Sequence, residues 1–355
     1  MTMINLDDFD RVAAIDASGM RNRILALPAQ CGAAYALGKA VRSPAGFAPQ
    51  QIVVAGADGA VAGADILRGL LQGELHIPFE VVRNYTLPAY ANERTLVVCC
   101  SVSGNGGEAL SVFGAAAISG CALVALCAGG NLAQRAQASG QTAITYTWPH
   151  TSREAIGYGL FTLLGMFESM GLLRDYTADV AESIAVLTAQ NSNLQPASRA
   201  VQNPAKRYAG QCVDRLPIFI GAGATAAVAR RWKTQLNSNA KLLATSEELP
   251  DANHNLIVGF EHAAEIWRNA LVIALRTSHD GARLDRRFDL TTRMMLGAGI
   301  NQDTVRVQGT CPLAQVMGLV QFGDWMSYYA AVMKGIDPTP TEAIDMFKGE
   351  LCALG

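Results

Sequence analysis

One stretch of the chain, Thr95 to Glu108, combines residue types that suit an anion. An apolar run ends at Cys100, and Ser101 and Ser103 then follow among glycines, just before a helix-like segment. A short apolar run bounded by turn residues is typical of a buried parallel strand. Free backbone N–H groups and the positive end of a helix dipole lie at such a junction, and glycines allow close approach. We interpret the stretch as a phosphate-binding loop; a glycine-rich turn without a ligand is the alternative.

Two cations elsewhere also suggest chemistry. Arg153 stands in a segment where Thr151 and Glu154 match a capping box, so it is expected at the N-terminus of a helix over 153–173. A cation is disfavoured there, so Arg153 could have an anionic partner; a solvated surface arginine is the alternative. Lys348 follows a second capping box, Thr339 to Glu342. It is expected either to extend to solvent or to reach into a cleft beside a buried stripe formed by Ile344, Phe347 and Leu351.

The elements that must position these residues alternate between strands and helices. This order predicts an α/β fold of parallel sheets flanked by helices, in three layers. When 270–281 is laid on the opening stretch, Ser278 falls on Ser103 and Gly281 on Gly106, which indicates a duplicated domain. The predicted domains are 1–175, a helical connection 176–210, and 211–355 with two C-terminal helices. The predicted strands are 51–55, 79–82, 95–100, 122–127, 142–148, 216–220 and 270–275.

Composition narrows the possible functions. A length of 355 residues favours two domains, and 16% charged residues, against about 25% on average, suggests surface hidden in an oligomer or a large core. A net charge of −2 without a basic block argues against nucleic acid as a partner.

The N-terminus has no signal-peptide pattern, and the run 155–173 is too interrupted for a membrane span. The eight cysteines form no C-x-x-C pair and the five histidines show no ligand spacing, so we expect a reduced, cytoplasmic protein without a metal.

Six segments, spread through nearly the whole chain, share one pattern and order. They are Gly56–Asp65, SVSGN at 101–105, Arg153, RWKTQLNSNAK at 231–241, ELPDANHNLIVG at 248–259 and GIDPTPTEAIDMFK at 335–348. Together they resemble the bifunctional phosphoglucose/phosphomannose isomerases, which are built from two sugar-isomerase (SIS) domains. Each glycine turn is weak evidence by itself, but the combination is specific.

The resemblance implies a homodimer whose active site lies between two SIS domains and needs no metal or organic cofactor. It implies interconversion of glucose 6-phosphate, and often mannose 6-phosphate, with fructose 6-phosphate through an enediolate. Arg153 matches the arginine beside the reacting carbons, His254 the ring-opening histidine supplied by the second subunit, and Lys348 the C-terminal active-site lysine. Phosphate binding maps onto Gly59, Ala60, Ser101, Ser103, Gly104, Asn105 and Gly106.

The sequence departs from the family pattern at three positions. Ala60 and Gly106 each replace a hydroxyl, and Asp58 adds a negative charge nearby. Ser238 stands where the family has the glutamate that moves the proton, and a serine hydroxyl is a poor base near neutral pH. The six-carbon sugar phosphate could therefore be isomerised at an attenuated rate, or bound without catalysis by a sensor or partner subunit. Possible replacement bases are Glu108, Glu247 and Glu248.

A third interpretation is a nucleotide-binding oxidoreductase. The turn that begins at Gly221 fits G-x-G-x-x-A after a strand. No acidic residue ends a second strand about 20 residues later, as that fold requires. The duplicated glycine turns explain the pattern better. His254, between two asparagines, could also be a residue that orders its loop by hydrogen bonding.

Overall fold

The computed structural model describes residues 3–42, 46–261 and 264–353 of the chain. The chain divides into two compact units. The first unit comprises Leu27–Ala185, and the second unit comprises Met1–Ala26 together with Val186–Gly355.

Strands and helices alternate as the sequence predicts, except that the strand predicted over 142–148 ends at Thr145 and that two strands, over 245–249 and 302–305, were not predicted. The strands are β1 Gln51–Gly56, β2 Phe79–Val82, β3 Thr95–Ser101, β4 Ala122–Cys127, β5 Thr142–Thr145, β6 Leu216–Ala222, β7 Thr245–Leu249, β8 Ala270–Leu275 and β9 Gln302–Val305. The helices are α1 Phe9–Ile15, α2 Met20–Leu25, α3 Leu27–Lys39, α4 Gly59–Leu70, α5 Gly107–Ile118, α6 Gly130–Ala138, α7 Ile156–Ser169, α8 Thr177–Leu194, α9 Pro204–Cys212, α10 Ala224–Gln235, α11 Ala264–Arg268, α12 Ala282–Gly297, α13 Pro312–Met333 and α14 Glu342–Ala353. Short 3₁₀ turns cover Ser152–Glu154, Asp251–His254 and Leu256–Phe260, and a π-helical turn covers Leu236–Ala240.

The first unit is built on a five-stranded parallel sheet in the order β2-β1-β3-β4-β5. Every residue of β3 is buried, so both faces of the sheet are covered. On one face, alternate residues such as Val53 and Val97 pack with Val112 of α5 and Leu132 of α6. The other face holds fully buried residues such as Ile52. This arrangement confirms the three-layer α/β prediction.

The second unit repeats the plan with a four-stranded parallel sheet in the order β7-β6-β8-β9. On one face Ile220 and Val272 pack with Phe288 of α12. On the other face the Phe219 ring meets Trp232 of α10, with ring centroids 5.3 Å apart. The strand orders of the two units correspond, β1 to β6, β2 to β7, β3 to β8 and β4 to β9, which supports the predicted duplication.

The helix predicted to begin at Arg153 begins later. Arg153 lies in the 3₁₀ turn, and α7 starts at Ile156. The Thr151 hydroxyl is buried without a hydrogen-bond partner, so the capping box does not form. Instead, the Gln30 side chain from α3 accepts from the Gly157 N–H at 2.6 Å and donates to the Glu154 carbonyl at 3.1 Å. A side chain distant in sequence thus caps α7, and no local pattern could predict it.

The C-terminal helix also differs from expectation. It begins at Glu342, and the Thr339 hydroxyl accepts a hydrogen bond from Arg23 instead of capping the helix. The predicted buried stripe is wrong, because Ile344, Phe347 and Leu351 are 41%, 64% and 48% exposed. Helical periodicity identifies which side chains share a face, but it does not determine whether anything covers that face.

None of the helices within the described residues combines the length and hydropathy that a membrane span requires. The seven cysteines with described side chains are buried and form no disulfide. That part of the chain also holds no group of three or more His, Cys, Asp or Glu side chains able to hold a metal ion.

Candidate active site

The predicted phosphate loop lies at the switch point of the first sheet. In the order β2-β1-β3-β4-β5, the chain changes direction between β1 and β3, and ligands of such sheets bind beyond the carboxyl ends of the strands there. Gly56 at the end of β1 pairs with Cys100 near the end of β3. A Cβ on Gly56 would lie 2.3 Å from the Cys100 carbonyl oxygen, so only glycine allows this approach. The loops that follow β1 and β3 therefore share one edge.

The loop at 101–107 is held by its own hydroxyls and by the next loop. The Ser101 hydroxyl accepts from the Gly106 N–H at 3.1 Å, and the Ser103 hydroxyl accepts from the Asn105 N–H at 3.2 Å. The Asn105 side chain accepts from the Asn131 N–H at 3.1 Å.

Gly104 has φ 72°, and a Cβ there would lie 1.7 Å from the Gly129 carbonyl oxygen. Glycine is therefore required for close packing at this position as well as for its backbone angle.

The helix that follows this loop offers its N-terminus to an anion. No side chain caps α5, whose N-cap residue is Gly106. The first N–H groups of a helix have no partner within the helix, and its dipole is positive there. Ser103 and Asn105 are exposed beside these groups, whereas Ser101 is only 7% exposed. The arrangement can bind a phosphate.

Arg153 lies directly on the loop that follows β1. A Cβ on Gly59 would lie 2.6 Å from both the backbone N and the Cα of Arg153, so the two backbones are in contact. Arg153 is 7% exposed and lies in the 3₁₀ turn. The first unit therefore brings Gly59 and Ala60 together with Arg153, which lies about ninety positions further along the chain.

Asp58 is the residue in this unit whose backbone is unusual. It has φ 48° and ψ −129°, a conformation that glycine favours, and its side chain does not cap α4. At the matching position of the second unit, Gly223 has φ 53° and ψ −121°. The backbone turn is thus the same in both units, but the first unit places an exposed carboxylate in it.

Ser238 lies in the π-helical turn Leu236–Ala240 at the end of α10. Such turns are frequent at functional sites because they displace side chains from a regular helix. Lys241 closes the turn at φ 53°, and its ammonium group donates to the carbonyls of Ser238 at 2.8 Å, Asn239 at 3.2 Å and Pro340 at 2.7 Å. These bonds fix the turn beside the segment that leads into α14.

Buried polar contacts to α13 anchor the other face of this turn. Arg231 donates to both carboxylate oxygens of Asp324 at 2.8 Å, and Gln235 donates to one of them at 2.8 Å. Burial raises the pKa of Asp324, and the contact with Arg231 opposes this. Asn239 donates to Ser327 at 3.0 Å. Gln235 and Asn239 are thus held inward, while Ser238 between them is half-buried.

A cavity of about 590 Å³ opens beside Ser238, within the second unit. It is lined by Ser238 together with Asp337 and Glu342, two carboxylates that the sequence interpretation had not assigned. Asp337 accepts from the backbone N–H and the hydroxyl of Ser18, at 3.2 and 2.7 Å. Glu342 has no hydrogen bond or ion pair to any residue that the structure describes. Its carboxylate is therefore available beside Ser238. The sequence interpretation had assigned Glu342 only to a capping box and had not considered it as a base.

The replacement bases considered from the sequence lie elsewhere. Glu247 is on β7, and burial and the nearby Asp251 raise its pKa. Neither Glu247 nor Glu248 lines the cavity of Ser238. Glu108 is in the first turn of α5, where the Tyr85 hydroxyl donates to it at 3.5 Å.

The side chains of His254 and Lys348 are exposed and make no hydrogen bond to another described residue. His254 ends the 3₁₀ turn Asp251–His254, and neither residue lines the cavity of Ser238. Lys348 lies on α14, the helix that begins at this cavity. The described contacts of the second unit therefore bring Ser238 and Glu342 together, but not His254.

The second unit also contains a counterpart of the phosphate loop, at 276–281. There Asp280 accepts from the Thr277 N–H at 3.0 Å and from its hydroxyl at 2.6 Å. Gln315 accepts from the Ser278 N–H and donates to the Ser278 hydroxyl, both at 2.8 Å. Side chains of the protein thus bond the N–H groups of Thr277 and Ser278 and the Thr277 hydroxyl, three donors that an anion could otherwise contact.

The glycine turn of this unit is likewise closed. The Thr225 hydroxyl donates to the Ala222 carbonyl at 3.0 Å and accepts from its N–H at 2.9 Å. This bonding leaves the G-x-G-x-x-A pattern with a structural role.

Comparison with known proteins identifies a matching family model and similar sequences. Residues 201–351 match the family model of the bacterial phospho-glucose isomerase C-terminal SIS domain. A bifunctional phosphoglucose/phosphomannose isomerase of Caldicellulosiruptor bescii is 32% identical over 330 residues, which cover 92% of this chain and 97% of the relative. A protein of the same name from Aquifex aeolicus is 28% identical and covers 84% of this chain and 90% of its own.

Solved structures share the fold at lower identity. The C-terminal domain of glucosamine-fructose-6-phosphate aminotransferase from Francisella tularensis has a TM-score of 0.72 at 13% identity, covering 90% of this chain and 98% of that chain. A glucose-6-phosphate isomerase like protein from Thermus thermophilus has a TM-score of 0.64 at 20% identity, covering 96% and 99%. The structural likeness extends over both sheets, and the identity to the first relative extends over nearly the full length of both proteins. The chain therefore belongs to the family of bifunctional phosphoglucose/phosphomannose isomerases.

Proposed function

We propose that the protein is a sugar-phosphate aldose–ketose isomerase that interconverts fructose 6-phosphate with glucose 6-phosphate or mannose 6-phosphate. The observation that carries this proposal is the contact of Gly59 with the backbone of Arg153, beside an uncapped helix N-terminus. The proposed phosphate site therefore lies beside a buried cation. A sugar phosphate needs both, one for its phosphate group and one for the enediolate. The names of the relatives support the same reaction.

The phosphate is assigned to Gly59, Ala60, Ser101, Ser103, Gly104, Asn105 and Gly106. Its oxygens accept from the loop hydroxyls and from the first N–H groups of α5. Arg153 stabilises the enediolate, because a positive charge beside a developing oxyanion lowers the barrier most in a site that excludes water. The nearly complete burial of Arg153 supports this role.

Isomerisation also needs a base that removes the proton from the carbon next to the carbonyl and returns it to the neighbouring carbon. Ser238 stands at the family's position for this base but lacks a carboxylate. We assign the proton transfer to Glu342. The support is that Glu342 lines the same cavity as Ser238 and has no hydrogen bond or ion pair with a described residue.

Ring opening is assigned to His254, with Lys348 as a further acid/base group. We propose a homodimer in which His254 is contributed across the subunit interface. Its exposure, and its absence from the cavity of Ser238, support this. The reaction as proposed uses no metal or organic cofactor and takes place in the cytoplasm. The division into domains at 1–175, 176–210 and 211–355 stays a prediction.

The direct test is an isomerase assay with purified protein and fructose 6-phosphate, in which glucose 6-phosphate and mannose 6-phosphate are measured separately. We expect saturable formation of at least one aldose. Binding of fructose 6-phosphate without any turnover would support the alternative, a non-catalytic sugar-phosphate-binding protein. Absence of both binding and turnover would refute the proposal.

Glu342→Gln tests the assignment of the base. We expect kcat to fall by about 10²–10⁴-fold while KM changes little, because a general base contributes about that much. Glu350→Gln is the matched control, since Glu350 is exposed on the same helix and does not line the cavity. Adding Ser238→Glu to the Glu342→Gln variant should restore part of kcat. An unchanged kcat in Glu342→Gln would remove Glu342 from the mechanism.

A mixing experiment tests the role of His254. His254→Ala and Arg153→Gln are each expected to be inactive as homodimers. When the two variants are unfolded and refolded together, the mixture should recover about a quarter of the wild-type rate, because half of randomly formed dimers would hold one intact site. If His254 acts within its own subunit, the mixture stays inactive.

A further inference from the structure

A second cavity, of about 470 Å³, lies between one face of α12 and the 3₁₀ turns at 251–260. The α12 residues that line it recur at helical spacing, so they share one face. We call it the arginine cavity. Its lining includes Arg283, Arg286 and Arg287, with Asn253 on the opposite side.

One wall of the cavity is fixed by hydrogen bonds. The Asn253 side chain donates to the Thr291 hydroxyl at 2.7 Å and accepts from Arg287 at 3.2 Å. The Thr291 hydroxyl in turn donates to the Arg287 carbonyl at 2.8 Å. Arg287 is therefore fixed in the wall of the cavity. Because a guanidinium has five N–H groups, it keeps further donors that can bind a ligand.

The positive charge of this face has no acidic partner. Arg283 and Arg286 make no hydrogen bond or ion pair with any residue that the structure describes. The acidic residues of the same helix, Asp285 and Asp289, are bound instead by Arg276, at 2.5 and 2.6 Å. No carboxylate is among the residues that line the cavity.

Without a bound anion, this arrangement of positive charges destabilises α12. Like charges three and four residues apart repel each other, and cations near a helix N-terminus oppose the helix dipole. Arg283 is the second residue of α12, and no side chain caps the helix. A chain with a net charge of −2 thus concentrates three arginines on one helix face, and an anion bound there would reduce their repulsion.

We propose that the arginine cavity binds a small metabolite that carries two or more phosphate groups. Side chains three and four residues apart on a helix have Cβ atoms about 5–6 Å apart, so the guanidinium groups can contact neighbouring phosphates of one molecule. Arginine suits this role because its planar donors match phosphate oxygens in pairs. The volume lies within the range of small-molecule sites, and Ile257 and Leu290 add apolar contacts.

Isothermal titration of the full chain with inorganic tripolyphosphate tests the proposal. We expect saturable binding, with affinity at least about tenfold lower in Arg286→Gln, because a hydrogen bond to a charged group contributes that much. Arg293→Gln is the matched control, since Arg293 is exposed on the same helix but does not line the cavity. The affinity of that control should stay within about twofold of wild type, as expected when no contact is lost.

Three results would overturn the proposal. The first is the absence of saturable binding at millimolar tripolyphosphate, and the second is an equal loss in Arg293→Gln, which indicates non-specific attraction. The third is dissociation of a dimer by Arg286→Gln, which would make this face a subunit interface. Tripolyphosphate should still bind when the phosphate loop is saturated with fructose 6-phosphate. Loss of binding under that condition would place the ligand on the phosphate loop instead.

Discussion

In the first unit the loop at 101–107 has two serine hydroxyls beside an uncapped helix. In the second unit, side chains of the protein form hydrogen bonds with the loop at 276–281. The carboxylate of Asp280 accepts from the N–H and the hydroxyl of Thr277, and the Gln315 side chain accepts from the Ser278 N–H and donates to the Ser278 hydroxyl. Both loops follow corresponding inner strands of the two sheets, β3 and β8. The side chains of Asp280 and Gln315 therefore compete with a phosphate in the second loop, whereas no carboxylate or amide side chain of the described residues bonds the hydroxyls of Ser101 and Ser103.

The glycine turns differ in the same way. Asp58 and Gly223 have nearly the same backbone angles at matching positions. The first turn contacts the backbone of Arg153, while the second is closed by the Thr225 hydroxyl. Duplication has thus preserved the backbone, and small changes of side chain decide which copy can bind a ligand.

The largest effect is expected from Gly104→Ala. Its new Cβ would lie 1.7 Å from a backbone oxygen at φ 72°, so the free energy of unfolding should fall by about 3–5 kcal/mol. A control in the second loop, Gly281→Ala at φ 78°, meets no atom within 4 Å and should cost about 1–2 kcal/mol for its backbone angle alone. Urea unfolding followed by circular dichroism measures both. Equal losses would mean that the first loop is no more tightly packed than the second.

Asp280→Ala should lower the stability of the protein without changing its binding of substrate. It leaves the N–H and hydroxyl of the buried Thr277 without their acceptor, so the free energy of unfolding should fall by about 1–3 kcal/mol. The KM for fructose 6-phosphate should not change, because the proposed phosphate site is the loop at 101–107 of the first unit. A raised KM in the folded variant would show that the second loop takes part in binding after all.

The smallest effect is expected from Asp58→Gly. Relief of the unfavourable backbone angles should raise the free energy of unfolding by about 1 kcal/mol, and the reverse change, Gly223→Asp, should lower it by a similar amount. Loss of the carboxylate should also lower KM by about two- to fivefold, as expected for an exposed charge near a phosphate. Because salt screens exposed charges, the change in KM should shrink at high ionic strength. A KM independent of residue 58 at low salt would place the phosphate away from this turn.

The sequence was sufficient for the features that depend on local pattern. The apolar run ending at Cys100 and its glycine-rich continuation predict the strand, the loop and the helix that occur there. The match of Ser278 to Ser103 predicts the second sheet. These inferences succeed because strand burial and turn chemistry are encoded within about ten residues.

The sequence was insufficient where distant residues meet. Gln30 caps α7 from another helix, and Glu342 shares a cavity with Ser238 across about a hundred residues of chain. The closure of the second phosphate loop depends on Gln315, which lies on α13. No periodicity or spacing identifies such pairs, because they are set by how the helices pack on the sheet.

The difference between the two loops is tested most directly by titration with arabinonate 5-phosphate, a five-carbon mimic of the enediolate. Wild type and Ser278→Ala should bind it with the same affinity. Ser101→Ala and Ser103→Ala should each bind it about 10–100-fold more weakly, since each loses a hydrogen bond to a charged phosphate. Equal affinity in all four proteins, or weakening by Ser278→Ala alone, would contradict the assignment of the phosphate to the first unit.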